Sequence, residues 1–506
     1  MAISRRNLLK AAAATALLLG GNRASSVLGA EPPRVDNLSL DALESTLARA
    51  CKYFHDHVAQ HGGYVYFVSE DLTRFFGEGE FDKDTIAVQP PGTPTVGEAY
   101  LAAFQATGDE NYRRYAKSVA DALLDGQLAS GGWDQNIYFH PSAKRFGNYR
   151  NRPENKNPRE SKAWNRSSLD DDQTQSAIRF LLQAEEADVI PHDYRSYGCV
   201  GAISSLCSTA MFQNIGGFPQ VFDGNRPVEV ATKKASYPTY DWKTERRIKN
   251  YWDYPTLNDG LALSVASTLR MAHYTWGPSD SEVFDALFSL GRFLELAQMP
   301  DPQPAWCQQY NEEMIPMWAR KFEPPAIATS ESQEAMRALM IIALVHSDER
   351  LLEPIPRALA YLNTHELPGG MLPRFIELKT DKPLYMTRDY ELTYDDRNVP
   401  THYGWKRKSE LAEIEKELAE CRKQIKALPY KADQPIVVNR TKVNRMRLAE
   451  AMQTCDEKGR WVSTYQGESL PGQPKLAKGF RYLSSDRFAK NVQQIAAAIR
   501  DLKAAK

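Results

Sequence analysis

Long apolar runs are missing from this chain. Beyond its N-terminal leader no segment approaches the roughly 20 consecutive apolar residues that a membrane-spanning helix requires, so no span is expected once the leader is removed. Cysteine is scarce: Cys51, Cys199, Cys207, Cys307, Cys421 and Cys455 are scattered and form no metal-type pair. Neither a zinc knuckle nor a disulfide framework is therefore encoded, and the thiols are expected to be mostly free. An excess of one charge is also absent, since 63 Lys and Arg face 64 Asp and Glu. That balance excludes the broad field that would attract nucleic acid or an anionic membrane, and a polyanionic ligand would need a local basic cluster. Finally, no stretch alternates apolar and polar residues long enough to read as a sheet, and Val and Ile are not gathered in short runs. An all-α protein is expected.

The N-terminus reads Ser4-Arg5-Arg6-Asn7-Leu8-Leu9-Lys10, then a mildly apolar stretch, Ala11 to Gly20, then Val27-Leu28-Gly29-Ala30. This is a twin-arginine export signal over residues 1–30, so the mature protein is expected in the periplasm or outside the cell. The remainder carries a loose repeat of amphipathic helix, polar turn, second helix and Gly/Pro turn. One copy runs through Thr107-Gly108-Asp109-Glu110 to Gly131-Gly132-Trp133. Another runs through Gly277-Pro278-Ser279-Asp280 to Trp306, and a third through Ser347-Asp348-Glu349 to Gly369-Gly370-Met371. Within the first, Tyr115, Val119, Ala122 and Leu123 recur at the spacing of a one-sided apolar stripe. Helical hairpins of this kind bury their stripes against neighbours, and a closed ring leaves no exposed end repeat. An (α/α) toroid over residues 36–405 is expected, with an open helical solenoid as the alternative. Residues 406–506 read as a charged C-terminal helical extension packed on the toroid, beginning with a solvated surface helix near 406–426.

Polar clusters follow the helical pairs: Ser168-Leu169-Asp170-Asp171-Asp172, Thr256-Leu257-Asn258-Asp259-Gly260, Trp306 to Glu323, and Arg374 to Asp389. Three consecutive aspartates repel one another, so they must be solvated, cap a helix or meet a cation. Capping competes directly, because Asp170 to Asp172 precede a helical run, as Asn258 and Asp259 do.

These clusters carry a resemblance. Gly216-Gly217-Phe218-Pro219-Gln220 resembles the Gly-Gly-Trp-Pro-Gln turn of the pectic acid lyases, polysaccharide lyase family ten. Leu169-Asp170-Asp171-Asp172-Gln173-Thr174 and Thr256-Leu257-Asn258-Asp259 fall in the same order as that family's Ile-Asp-Asn-x-Ala-Thr and Thr-Phe-Asn-Asp. So do Trp306 to Asn311, Trp318-Ala319-Arg320-Lys321-Phe322-Glu323, Ser330-Glu331-Ser332, and Arg374-Phe375-Ile376-Glu377 with Arg388-Asp389. The resemblance spans roughly residues 165 to 390. It implies a toroid and a Ca²⁺-assisted β-elimination on polygalacturonate or a similar acidic polysaccharide or oligosaccharide. By it Arg320 would be the base, Asp170, Asp171 and Asp259 would hold the metal, and Arg374 and Arg388 would bind substrate carboxylates. Asn258, Trp306, Tyr310 and Glu323 would complete the substrate site, the aromatics as sugar platforms together with Trp318 and Phe218, although each of these rings fits the core equally well. The chain departs from the family at Tyr310-Asn311, where the pattern has His-Asp, and at Asp171, where it has Asn. These changes either retune the site to another uronate or mark a loss of catalysis.

Elimination removes the proton next to a uronate carboxylate, so negative charge gathers on a group already negative, and a divalent cation with guanidinium forks answers that need. Arginine serves as a base only if its pKa falls, which Ca²⁺ and Arg388 nearby would cause, and an alkaline optimum is expected. A plain ion pair between Arg320 and Glu323 is the competing account. Two other functions fit the same residues. An inverting glycoside hydrolase would use Asp171 with Asp259, or Glu323 with Glu331, spaced about 6.5–9.5 Å apart. A secreted glycan-binding protein would use the loops without turnover.

Overall fold

The structure, a computed structural model, describes residues 38–152, 164–191, 198–225, 228–245, 248–276, 281–401, 403–427 and 441–505. The export signal at 1–30 and the turn 277–280 lie outside the described residues. The helices are α1 (Leu40–Tyr53), α2 (Thr93–Thr107), α3 (Glu110–Asp125), α4 (Gln173–Glu186), α5 (Cys199–Ser204) and α6 (Leu261–Trp276). They continue with α7 (Ser281–Ala297), α8 (Thr329–His346), α9 (Pro354–Asn363), α10 (Leu411–Ala427), α11 (Arg445–Thr454) and α12 (Ser485–Ala504).

Their packing is that of an (α/α) toroid. The inner helices follow one another as α12, α2, α4, α6, α8 and α10, each against the next. Outside them α3 backs α2, α5 backs α4, α7 lies on α6 and α8, α9 lies on α8 and α10, and α1 and α11 back α12. Residue pattern explains which helix goes where. The inner helix α8 buries residues all round, among them Gln333, Ala335, Met336, Ala338, Leu339 and Ile342. The outer helix α3 buries one stripe, Tyr112, Tyr115, Ala116, Val119 and Leu123, and turns its charges to water. The hairpin turns are set locally. Gly108, at φ 74°, ends α2 in the left-handed conformation, and the Asp109 carboxylate accepts the Asn111 N–H at 2.8 Å to start α3.

Short strands accompany the helices without changing the fold class: a five-stranded sheet joins 462–464, 481–484, 67–69, 75–77 and 79–81, and a four-stranded one joins 392–393, 383–386, 375–377 and 326–328. Strands of two to four residues are too short for alternation to show in sequence. The described part of 406–506 is packed against the rest of the chain. Helices α10 and α12 are ring members, and strand Arg481–Ser484 pairs with Phe67–Ser69. Helix α10 is not simply solvated, because Leu411, Ile414, Leu418 and Cys421 form a narrow buried stripe. Arg337 of α8 clamps it from within, with Nε 3.0 Å from Glu417 and a second bond to Glu410. None of the six cysteines forms a disulfide. No described helix is long and apolar enough to cross a membrane.

Candidate functional site

Two turns with the same backbone open the inner helices α4 and α6. In Asp170-Asp171-Asp172 and Asn258-Asp259-Gly260 the second residue has φ 44° and 48°, and the third has φ 64° and 73°. Each turn is hung in the same way. Leu169 N–H donates to Gln220 O at 2.8 Å and Leu257 N–H to Gln308 O at 2.8 Å. The next amides, of Asp170 and Asn258, donate to the hydroxyls of Ser168 and Thr256 at 3.2 and 3.1 Å. Side chains with a Cβ pay about 1 kcal/mol or more for such left-handed backbone, so something beyond turn formation holds Asp171, Asp172 and Asp259 there.

Capping does not account for it. Asp172 occupies the N-cap of α4 without accepting a cap hydrogen bond, and pairs with Arg179 instead, one contact being 2.9 Å. The other acids converge. One carboxylate oxygen each from Asp170, Asp171 and Asp259 lies within 4.8 Å of the others. Asn258, buried, binds two of them together, its amide nitrogen donating to Asp170 at 3.3 Å and to Asp259 at 2.8 Å. Its own side-chain oxygen has no partner.

Arg320 meets these acids at the same mouth. Its Nη2 is 3.4 Å from Asp170 Oδ2 and 3.5 Å from Asp259 Oδ2. Behind it the loop closes on Glu323, whose carboxylate accepts the Arg320 N–H at 2.9 Å and lies 3.7 Å from Nε. The Arg320–Glu323 pair of the competing account thus exists, but only as one side of a larger cluster. Burial pushes Asp170 up to about 6, against the pull of Arg320, and pushes Asp171 up to about 8 with the adjacent Asp170 charge adding. Burial is also the largest single influence on Arg320 and lowers its pKa, yet Glu323, Asp170 and Asp259 together carry it above the ordinary value. The premise of an alkaline optimum is corrected accordingly: the neighbours the chain gives Arg320 are acids, which keep the guanidinium charged, and not Arg388.

The remaining expected residues divide. Arg374 is 5% exposed, with Nη2 3.5 Å from Glu331 Oε1 and its guanidinium carbon 4.3 Å from the Tyr403 ring centre. It is an internal counter-charge and does not reach out to a ligand. Arg388 is exposed on the turn 387–390, whose Tyr390 packs 6.4 Å from the Phe322 ring. Trp306 and Tyr310 are corrected: both are fully buried, Trp306 Nε1 donating to Leu294 O and Tyr310 OH to Ala297 O, each at 2.7 Å. Neither ring can face a sugar, nor can Phe218 or Trp318, which are also core. The departure at Tyr310 therefore lies in the core and not at the mouth.

Two acids were not anticipated. Glu78, at the tip of the hairpin 75–81, shares the Gln89 amide with Asp171, at 3.3 and 3.2 Å. A lone acid between glycines gives no sequence signal. Glu334 follows Glu331 by one turn of α8, so it shares a face with the Ser330-Glu331-Ser332 motif and was legible. Burial, with Glu331 adding, pushes it up to about 8. Asp170, Asp171, Asp259, Glu323, Glu331 and Glu334, with Glu78, thus outnumber the nearby Arg320, Arg374 and Arg407. An all-oxygen donor set with surplus negative charge, a buried amide oxygen lacking a partner beside it, fits a hard divalent cation. The same crowding disfavours an inverting hydrolase built on Asp171 and Asp259, whose oxygens lie closer than the roughly 6.5–9.5 Å that leaves room for water.

No family model matches the chain, and no curated protein matches it in sequence. Solved structures similar to it include a mutant family 10 polysaccharide lyase from Cellvibrio cellulosa in complex with trigalacturonic acid. That match has 18% identity, covers 65% of this chain and 99% of that one, and has a TM-score of 0.42. Others are a cellobiose 2-epimerase from Spirochaeta thermophila, with 13% identity, 92% and 98% coverage and a TM-score of 0.42, and a sugar epimerase from a ruminal bacterium, with 11% identity, 91% and 98% coverage and a TM-score of 0.45.

Proposed function

We propose that the protein is an exported polysaccharide lyase that cleaves a uronic-acid polymer of the polygalacturonate type by β-elimination, with Arg320 as base. The observation that carries this reading is the meeting of Arg320 with Asp170 and Asp259, contributed by three loops far apart in sequence. Asp170, Asp171 and Asp259 would hold Ca²⁺, which when bound supplies positive charge against the charge gathering on the uronate carboxylate. Asn258 keeps two of these carboxylates in register. Glu323 fixes Arg320 at its backbone and at Nε, which aims the outer guanidinium nitrogens into the mouth. Only once the charge of Asp170 and Asp259 is offset by the ion would Arg320 give up its proton to solvent; the neutral guanidine would then take the proton from C5, the released pair forming the C4–C5 double bond as the C4–O bond breaks, and the departing oxygen would acquire a proton from water. Arg374 acts through Glu331 as a positioning residue. Arg388, exposed on the turn 387–390, would offer a guanidinium to a substrate carboxylate.

The test is mature protein incubated with polygalacturonate, with Ca²⁺ and with a chelator, followed by the absorbance of an unsaturated uronate. Product is expected only with the ion, and Arg320→Ala is expected to lower kcat by at least about a thousandfold, the scale for losing a positioned base. Saturated products, or full activity in Arg320→Ala, would overturn the proposal.

A further inference from the structure

A cavity of about 190 Å³ is lined among others by Arg166, Phe212, Val221, Phe222, Asn225 and Asp253. It is built on the same backbone as the mouth. Strand Ser167–Ser168 pairs with Val221–Phe222, Leu169 N–H donates to Gln220 O, and Gln220 N–H donates to Trp252 O at 3.0 Å. Arg166 stands four residues before Asp170, at most about 13 Å along an extended chain, so one oligosaccharide can reach both places.

The charges in this cavity differ from what a uronate needs. Among the described residues that line it Arg166 is the sole cation, and its Nη2 is already 2.9 Å from Asp253 Oδ1. Asp223 adds a second carboxylate to the lining. An incoming carboxylate would meet a neutralised guanidinium and an excess of negative charge. Groups suited to hydroxyls are nevertheless present: acceptor oxygens on Asp223 and Asp253 and the Asn225 amide. Phe212, Pro219, Val221 and Phe222 supply apolar groups to the same lining. A hydroxyl-bearing edge combined with an apolar C–H face is the chemistry of an uncharged sugar ring.

We propose that this cavity is a subsite for a neutral sugar residue, so that the polymer cut at the acidic mouth is a mixed chain in which an uncharged sugar accompanies the uronate. The second half rests on the lyase reading; the first half does not.

Saturation-transfer NMR with the methyl glycosides of galactose, glucose and rhamnose, and with methyl galacturonide, tests the subsite without turnover. At least one neutral glycoside is expected to receive transfer more strongly than the uronide. Asn225→Trp, an exposed rim position where added bulk leaves the core alone, is expected to weaken that binding at least about tenfold, or roughly 1.4 kcal/mol. Val221→Trp, checked by its melting curve, is the second blocking variant. Stronger transfer to the uronide, including any contribution of Arg226 outside the described residues, would overturn the subsite. So would no transfer at all, or binding undisturbed by both variants. Turnover is then compared on polygalacturonate and on a uronate–neutral sugar oligomer. A higher kcat/KM on the mixed oligomer, lost in Asn225→Trp, is expected; equal values overturn the mixed-polymer inference. Failure to form unsaturated product from either substrate sinks the lyase reading while leaving the NMR result standing.

Discussion

At the residue scale, Asp259 is the most exposed to test, because it serves both the carboxylate cluster and Arg320. Asp259→Asn keeps the shape and removes one charged ligand, so Ca²⁺ affinity measured by calorimetry is expected to fall at least about tenfold. Unchanged affinity would place the ion elsewhere. Asp134 offers a pH test away from that cluster. It is buried, with Arg145 3.8 Å off, and burial raises it from 3.8 to about 6. The folded state thus holds this proton more tightly than the unfolded chain does, so its contribution is most favourable below about pH 4 and declines as pH rises to about 6. Asp134→Asn is therefore expected to stabilise at pH 7 by up to about 3 kcal/mol and to change nothing below pH 4. Thermal melts at the two pH values read this directly, and equal effects at both would contradict it. Asp170, Asp259 and Arg320 were legible in sequence because each sits in a short, dense polar motif. For Trp306 and Tyr310 equally dense motifs left platform and core both open, since an indole or phenol has the same sequence context whether its ring faces a cleft or, as here, donates to a core carbonyl.

At the element scale, the two matched turns before α4 and α6 repeat one design, and sequence showed it only as two acidic clusters. The shared backbone was hidden because one copy uses Asp172 and the other Gly260 at the same left-handed position. Helices were legible from their stripes and caps, whereas strands of two to four residues were not. The Gly216-Gly217 turn shows how tightly elements are seated. Gly216 has φ 80°, and a Cβ there would lie 1.9 Å from Ser289 O on α7. Gly216→Ala must either push α7 outward or unwind the turn. A loss of about 2–4 kcal/mol is expected in chemical denaturation, in the range of strained or overpacked positions. A loss under about 0.5 kcal/mol would mean that α7 moves freely.

At the scale of the whole molecule, the chain's C-terminal helix is packed onto its first helices, a fact with no local signature. The charge density of 406–426 made the C-terminal fifth look peripheral, yet α12 packs against both α1 and α2. Phe488 marks the junction, 2% exposed and 3.9 Å from the ring of Phe54, with Tyr100 and Trp461 also against it. If the toroid is one cooperative body, damage here should be felt at the mouth, because α2 is also packed on α4, which carries the Asp170 turn. Phe488→Ala is expected to cost about 3–5 kcal/mol. Its loss of near-ultraviolet dichroism and its loss of Ca²⁺ binding are expected to share one midpoint on heating. An extension merely resting on a finished ring would instead melt first and leave the acidic centre binding its ion, giving two separated transitions.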